Sequence, residues 1–239
     1  MQSLLREPTA SDDKYSRGVV GFVTGSIQFP GAAILGVTAA MRTGIGMVRY
    51  SGPIEVSNLL IEARPEAVLG SGRSGAWVIG SGVPSDDPRI AEALGFEGRK
   101  IVDAGALTLE NLSRLTAQDF VTPHLGEAKR LGCEDVEALS RLTAAVVVLK
   151  GSITLIGQRG EQTISVGPNP AELSTAGTGD VLAGILGALV AANPTTDGIP
   201  LAKFAVELHA EAARLAANAG PMVALDLAEA VREVVKSWS

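Results

Sequence analysis

The feature that most restricts how this chain can fold is an alternation between short apolar runs rich in Val and Ile and longer stretches with helical spacing. Residues 18–25 read as a buried strand, Gly31–Arg42 as an Ala-rich helix, and Met47–Tyr50 as a second strand. Strand, helix, strand is the unit of a parallel sheet, because the chain needs a crossover to start the next strand in the same direction. Further strands are expected at 76–80, 100–104, 120–122 and 146–150. Helices are expected at Pro88–Leu94 and 107–115, with another that Pro123 opens at its first turn. Two strands at 153–156 and 162–166 flank Gln158-Arg159-Gly160 as a hairpin. From Asp180 the pattern is helical over 181–193, 201–218 and 224–235, broken at Asn193-Pro194 and Gly220-Pro221. No linker and no repeat divides the chain. The expectation is one α/β domain over 1–239, with 1–16 as a polar, loosely held lead-in.

A length of 239 residues is enough to bury a large core. With 46% hydrophobic residues, 28 Gly and 19% charged residues, the chain suits a sheet covered on both faces by small-residue helices. A net charge of −6, aromatics at 4% and no basic run longer than two exclude the basic, stacking surface of a nucleic-acid binder. They do not exclude an anionic ligand held by main-chain amides. The start, Met1-Gln2-Ser3-Leu4-Leu5-Arg6-Glu7-Pro8, lacks the regions of a signal peptide, and the apolar run at 181–192 is too short to span a bilayer. A cytoplasmic protein without a membrane partner is expected. The one cysteine, Cys133, permits no intrachain disulfide and fits a reducing compartment. In its polar setting it is read as an ordinary residue rather than a nucleophile.

The most informative segment is Thr175-Ala176-Gly177-Thr178-Gly179-Asp180-Val181-Leu182-Ala183-Gly184, which follows Asn169-Pro170. Two glycines let the backbone turn with its amides pointing one way, and the helix beyond adds unsatisfied N–H groups and its positive end. That is an anion hole built of main chain. Asp180 fits two roles on spacing alone: a first-turn acid on a capped helix, or a base that takes a proton from a hydroxyl about to attack phosphorus.

This segment resembles the signature of the ADP- or ATP-dependent NAD(P)H-hydrate dehydratases, a ribokinase-like family that repairs hydrated nicotinamide cofactors. Four other segments match in order: Pro30-Gly31-Ala32-Ala33-Ile34-Leu35, Gly80-Ser81-Gly82-Val83-Pro84, Val121-Thr122-Pro123-His124-Leu125-Gly126-Glu127 and Leu149-Lys150-Gly151-Ser152-Ile153-Thr154. The resemblance runs from about residue 14 to 190. It implies a three-layer α/β/α sandwich around a mostly parallel sheet.

It also implies roles. Asp180 would be the catalytic base, with Ala32, Gly82, His124 and Asp180 against the hydrated dinucleotide. Lys150, Gly151, Ser152, Ile153, Thr154, Gly177, Thr178 and Gly179 would hold the nucleotide. ADP (or ATP) would be the phosphoryl donor, with Mg²⁺ on its phosphates. On residue type alone, His124 also fits a structural role, Lys150-Gly151 an ordinary turn, and Glu127 either a first-turn helix acid or a group ordering water or Mg²⁺. His209 is read as structural.

Two departures stand out. The loop at 80–84 reads Gly-Ser-Gly-Val-Pro where the family has Gly-Pro-Gly-Leu-Gly. Asp103-Ala104-Gly105-Ala106-Leu107 has Gly105 where an aspartate is usual, which removes a carboxylate and leaves metal ligands unassigned. A small-molecule kinase acting on a vitamin-precursor alcohol, and a non-catalytic nucleotide-binding module, are the rival readings. Asp180 counts against the second. The resemblance further implies a homo-oligomer such as a tetramer. Because the first strand comes so early, any epimerase is expected on a separate chain.

Overall fold

The computed structural model describes residues 4–238. Residues 1–3 of the lead-in lie outside the described residues. Nine strands form one sheet among them: β1 (Val19–Val23), β2 (Met47–Tyr50), β3 (Val68–Leu69), β4 (Ala76–Ile79), β5 (Arg99–Val102), β6 (Phe120–Val121), β7 (Val146–Leu149), β8 (Thr154–Gly157) and β9 (Ile164–Val166). Their spatial order is β3-β2-β1-β4-β5-β6-β7-β8-β9. Pairings from β3 through β7 are parallel, while β7–β8 and β8–β9 are antiparallel.

Alternation along the strands splits the core in two, as the pleat requires. Phe22, Val78, Ile101, Phe120 and Val148 face one way, into a core shared with α1 (Gly31–Arg42), α2 (Ile54–Ala63), α7 (Thr178–Ala192), α8 (Gly198–Ala217) and α9 (Ala224–Trp238). Trp77, Ile79, Val102, Val121, Val147 and Leu149 face the other, against α3 (Pro88–Leu94), α4 (Leu109–Ser113), α5 (Leu125–Arg130) and α6 (Val136–Leu142). Three layers result. The helix α7 is buried on nearly every side because it lies between the sheet and α1. A Cβ on Gly184 would stand 2.2 Å from Gly36 O, so only glycine lets these two helices approach so closely.

Several expectations shift. Pro123 does not open a helix: α5 starts at Leu125 with His124 as its N-cap. The helix expected at 107–115 is present but shorter, as α4, which Thr108 caps, and a 3₁₀ turn, Ala104–Ala106, precedes it. The helix after the glycine turn begins at Thr178, before Asp180. Helices α2 and α6 and the short strand β3 carry no expectation from the sequence. Β3 is two residues long and exposed, with too little pattern to read. The lead-in is tied down in part: Leu5 is buried in the larger core, and Asn193 Nδ2 donates to Leu4 O at 3.1 Å.

Candidate active site

The loops that leave the C-terminal ends of β1, β4, β5, β6 and β7 lie along one edge of the sheet, where ligands of open α/β folds bind. Six of the sequence-predicted segments come from that edge or from the start of α7, which faces it.

Gly177 is the N-cap of α7 at φ +91°, a left-handed conformation that glycine adopts without strain. The Thr178 amide turns back onto Thr175 O at 3.4 Å and is not free. Those of Gly179 and Asp180, taken by no backbone carbonyl, remain as donors at the positive end of a 15-residue helix. The turn is held from below: Thr178 Oγ1 lies 2.8 Å from Leu173 O, and Thr178 O lies 2.9 Å from His209 Nε2. Burial lowers the His209 pKa to about 4, so the ring is neutral and donates through Nε2. The structural role read for His209 is therefore support of the anion turn.

Lys150 follows β7 and its ammonium reaches the same place. Its Nζ would stand 3.2 Å from a Cβ on Gly179, and it donates to Asp103 Oδ1 at 2.9 Å. Glu127 Oε2 is 3.9 Å away. Burial works against the charge, but Asp103 and Glu127 outweigh it and hold the Lys150 pKa above its usual value. Asp103, 2% exposed, also accepts from Ser81 Oγ at 2.8 Å and Thr122 Oγ1 at 2.8 Å. The Asp180 carboxyl, half-buried at the third position of α7, is pushed up to about 7 by burial first and by Asp103 second, with Lys150 pulling the other way.

His124 and Glu127 form a reciprocal cap on α5. Glu127 N donates to His124 Nδ1 at 3.2 Å, and His124 N donates to Glu127 Oε2 at 2.7 Å. That leaves the His124 proton on Nε2, on a side chain 54% exposed. Ala32 and Gly82 are neighbours, since a Cβ on Gly82 would lie 2.6 Å from Ala32 Cβ. Gly82 follows Ser81, so Asp103 links this small-residue patch to Lys150.

A cavity of about 540 Å³ is lined by His124, Lys150, Gly151, Ser152, Thr154, Thr178 and Gly179, with Asn169, Leu173 and His209 completing the wall. Ile153, Gly177, Asp180, Ala32 and Gly82 are not part of that lining. Ile153 is exposed, and Asp180 stands one residue beyond Gly179. A larger cavity, about 750 Å³, lies on the other side of Asn169 between β9, α8 and Trp238, and contains none of the predicted site residues.

Asp103 is the site residue that sequence reasoning missed as a hub. Its signal was positional, because Ser81, Asp103 and Thr122 each follow one of three adjacent strands. Gly105 has a steric reason rather than a metal-related one: a Cβ there would stand 1.8 Å from Val83 O. Among the described residues no group of three or more His, Cys, Asp or Glu is arranged to hold a metal. Asp103 already has three donors, so the donor set fits Mg²⁺ carried by nucleotide phosphates and water, with Glu127 or Asp180 as the available carboxylate. Cys133 is buried, and burial raises its pKa, so it is no nucleophile.

Residues 20–234 match the family model described as NAD(P)H-hydrate dehydratase. The chain is 38% identical, over 246 aligned positions, to the bifunctional NAD(P)H-hydrate repair enzyme Nnr of Mycobacterium leprae, covering 90% of this chain and 49% of that one. It is 30% identical to the ADP-dependent (S)-NAD(P)H-hydrate dehydratase of Xanthomonas campestris pv. campestris, covering 87% and 83%. It thus spans about half the length of the Nnr relatives. The solved ADP/ATP-dependent NAD(P)H-hydrate dehydratase from Bacillus subtilis, co-crystallised with ATP/Mg²⁺, superposes with a TM-score of 0.81 at 27% identity, covering 98% of this chain and 94% of that one. A ribokinase-like superfamily protein from Enterococcus faecalis V583 superposes at 0.84 with 22% identity, covering 98% and 92%, and bears on the fold alone. The three-layer sandwich is the ribokinase-like one.

Proposed function

The chain belongs to the NAD(P)H-hydrate dehydratase family, and we propose that it returns (S)-NAD(P)H hydrate to NAD(P)H at the expense of ADP (or ATP), releasing phosphate and AMP (or ADP). The observation that carries this reading is the place of the Asp180 carboxylate, in the first turn of α7 one residue beyond Gly179, where Lys150 and the turn's free amides converge. Pure anion binding would be better served by a neutral residue there.

In the hydrate, water has added across a ring double bond and left a hydroxyl, a poor leaving group. Asp180 takes the hydroxyl proton as the oxygen attacks the terminal phosphorus of the nucleotide, and the bond from that phosphorus to the bridging oxygen breaks, leaving AMP (or ADP). The Gly179 and Asp180 amides and the Lys150 ammonium stabilise charge on the phosphoryl group in transit. The ring nitrogen's electron pair then expels phosphate, a proton is lost from the neighbouring carbon, and the double bond reforms. Mg²⁺, when bound, would neutralise the nucleotide phosphates.

The turn Lys150–Gly151–Ser152–Ile153–Thr154 is the wall for the nucleotide, while Ala32, Gly82 and His124 border the hydrated ring. One catalytic domain acting in the cytoplasm belongs to the same reading and rests on the sequence pattern, while a homo-oligomer rests on family resemblance. Hydrated NADH mixed with Mg²⁺, the protein and either nucleotide should regain the near-ultraviolet absorbance of NADH. A stable phosphorylated product, with no absorbance recovered, would overturn the reading in favour of a kinase.

A further inference from the structure

Asn169 stands between the two cavities and makes three contacts with a single turn. Its backbone N donates to Ser152 O at 2.7 Å, and its Nδ2 donates to Gly151 O at 2.9 Å and to Thr154 Oγ1 at 3.0 Å. The orientation of the amide is fixed by these partners, because turning it over would set Oδ1 against the Gly151 carbonyl oxygen. The consequence is that Oδ1 is buried without a partner. A buried polar atom left unsatisfied is uncommon and destabilising. The side chain thus leaves one polar atom unsatisfied while its amide nitrogen fixes the turn.

We infer that Asn169 is a positioning residue for the nucleotide: it clasps the turn at 151–154 in the shape that receives ADP, without itself taking part in the chemistry. The inference rests on the reading of that turn as the nucleotide wall. Gly151 and Ser152 have small or no side chains, so the turn's shape must be imposed from outside. Asn169 imposes it through both of these residues and through Thr154, at the start of β8. Its position just before the anion turn also ties the two nucleotide-facing segments together, since only residues 170–176 separate it from Gly177.

The test compares the wild-type chain with Asn169→Ala and Asn169→Asp. The second sets a carboxylate oxygen against Gly151 O. ADP binding is read by calorimetry, and the hydrate reaction by steady-state kinetics. Loss of the clasp should raise the Kd and KM for ADP by about tenfold in both variants. The KM for the hydrate and kcat at saturating ADP should stay within about twofold, a split that a general loss of packing does not give. Circular dichroism checks that the variants fold. If Asn169→Ala does not, Asn169→Ser, too short to reach Gly151 O and Thr154 Oγ1 together, should raise the Kd for ADP in the same direction. Folded variants that bind ADP as the wild type does would overturn the inference. A wild-type protein that neither binds ADP nor restores NADH would instead overturn the functional reading on which it rests.

Discussion

Lys150 Nζ lies 2.9 Å from Asp103 Oδ1, and this contact joins the two halves of the site. Lys150 faces the glycine turn and the nucleotide cavity. Asp103 reaches back through Ser81 to the patch of Gly82 and Ala32. A buried ion pair of this kind is poor evidence of stabilisation, because desolvation offsets much of the attraction. Its value here is placement: in the proposed reaction it would hold one cation where phosphoryl charge develops, and it keeps a second carboxylate close enough to raise Asp180.

Replacing Asp180 with asparagine removes the proton acceptor and keeps the side chain's volume. Turnover should fall by about 10²–10⁴-fold, the usual span for acid–base catalysis, while calorimetry should show ADP binding little changed. Retained turnover would remove Asp180 from the mechanism. The same variant should be more stable than the wild type at pH 8. The carboxyl titrates near 3.8 when unfolded and about 7 when folded, so the folded state is penalised once pH rises past that window. Relief of about 1–3 kcal/mol is expected after allowing for partial exposure, visible as a higher Tm.

The pH dependence of kcat/KM should show an acidic limb near 7 in the wild type, because the base works only when ionised and its carboxyl sits at about 7. Activity should rise across that limb. An acidic limb near the ordinary carboxylate range would show that Asp180 is not the group being titrated.

Asp103→Asn separates placement from charge. The amide can still meet Ser81 and Thr122, but it no longer offsets Lys150 or repels Asp180. Both changes favour ionised Asp180, so the acidic limb should move to lower pH. Removing one partner of a buried pair costs about 3–5 kcal/mol, and a clear fall in Tm should accompany the shift. An unmoved limb in a folded variant would show that Asp103 does not set the base.

The parts of this site that could be read from the sequence are those whose chemistry is local. Gly177, Gly179 and Asp180 are consecutive enough for a turn and a helix start to be inferred from spacing. The alternation of apolar runs gave the parallel sheet for the same reason. Asp103 could not be read this way, because its partners Ser81, Thr122 and Lys150 are distant in sequence and meet only when β4, β5, β6 and β7 lie side by side. His124 was visible as a residue, but its pairing with Glu127 as a cap was not, since histidine is outside the usual capping types. The helix α2 was missed because Ser51-Gly52-Pro53 reads as a break and conceals the start at Ile54.

His209 supplies a last prediction, for stability rather than catalysis. Its ring is buried, its Nε2 donates to Thr178 O, and burial lowers its pKa from 6.5 to about 4. Between those values the unfolded chain binds a proton that the folded chain refuses. Stability from this residue is thus complete above pH 6.5 and is lost as pH falls toward 4. His209→Gln, which cannot take up a proton but can still donate to Thr178 O, should flatten this loss of stability between pH 6.5 and 4. If wild type and variant lose stability in parallel across that range, His209 is not the group responsible.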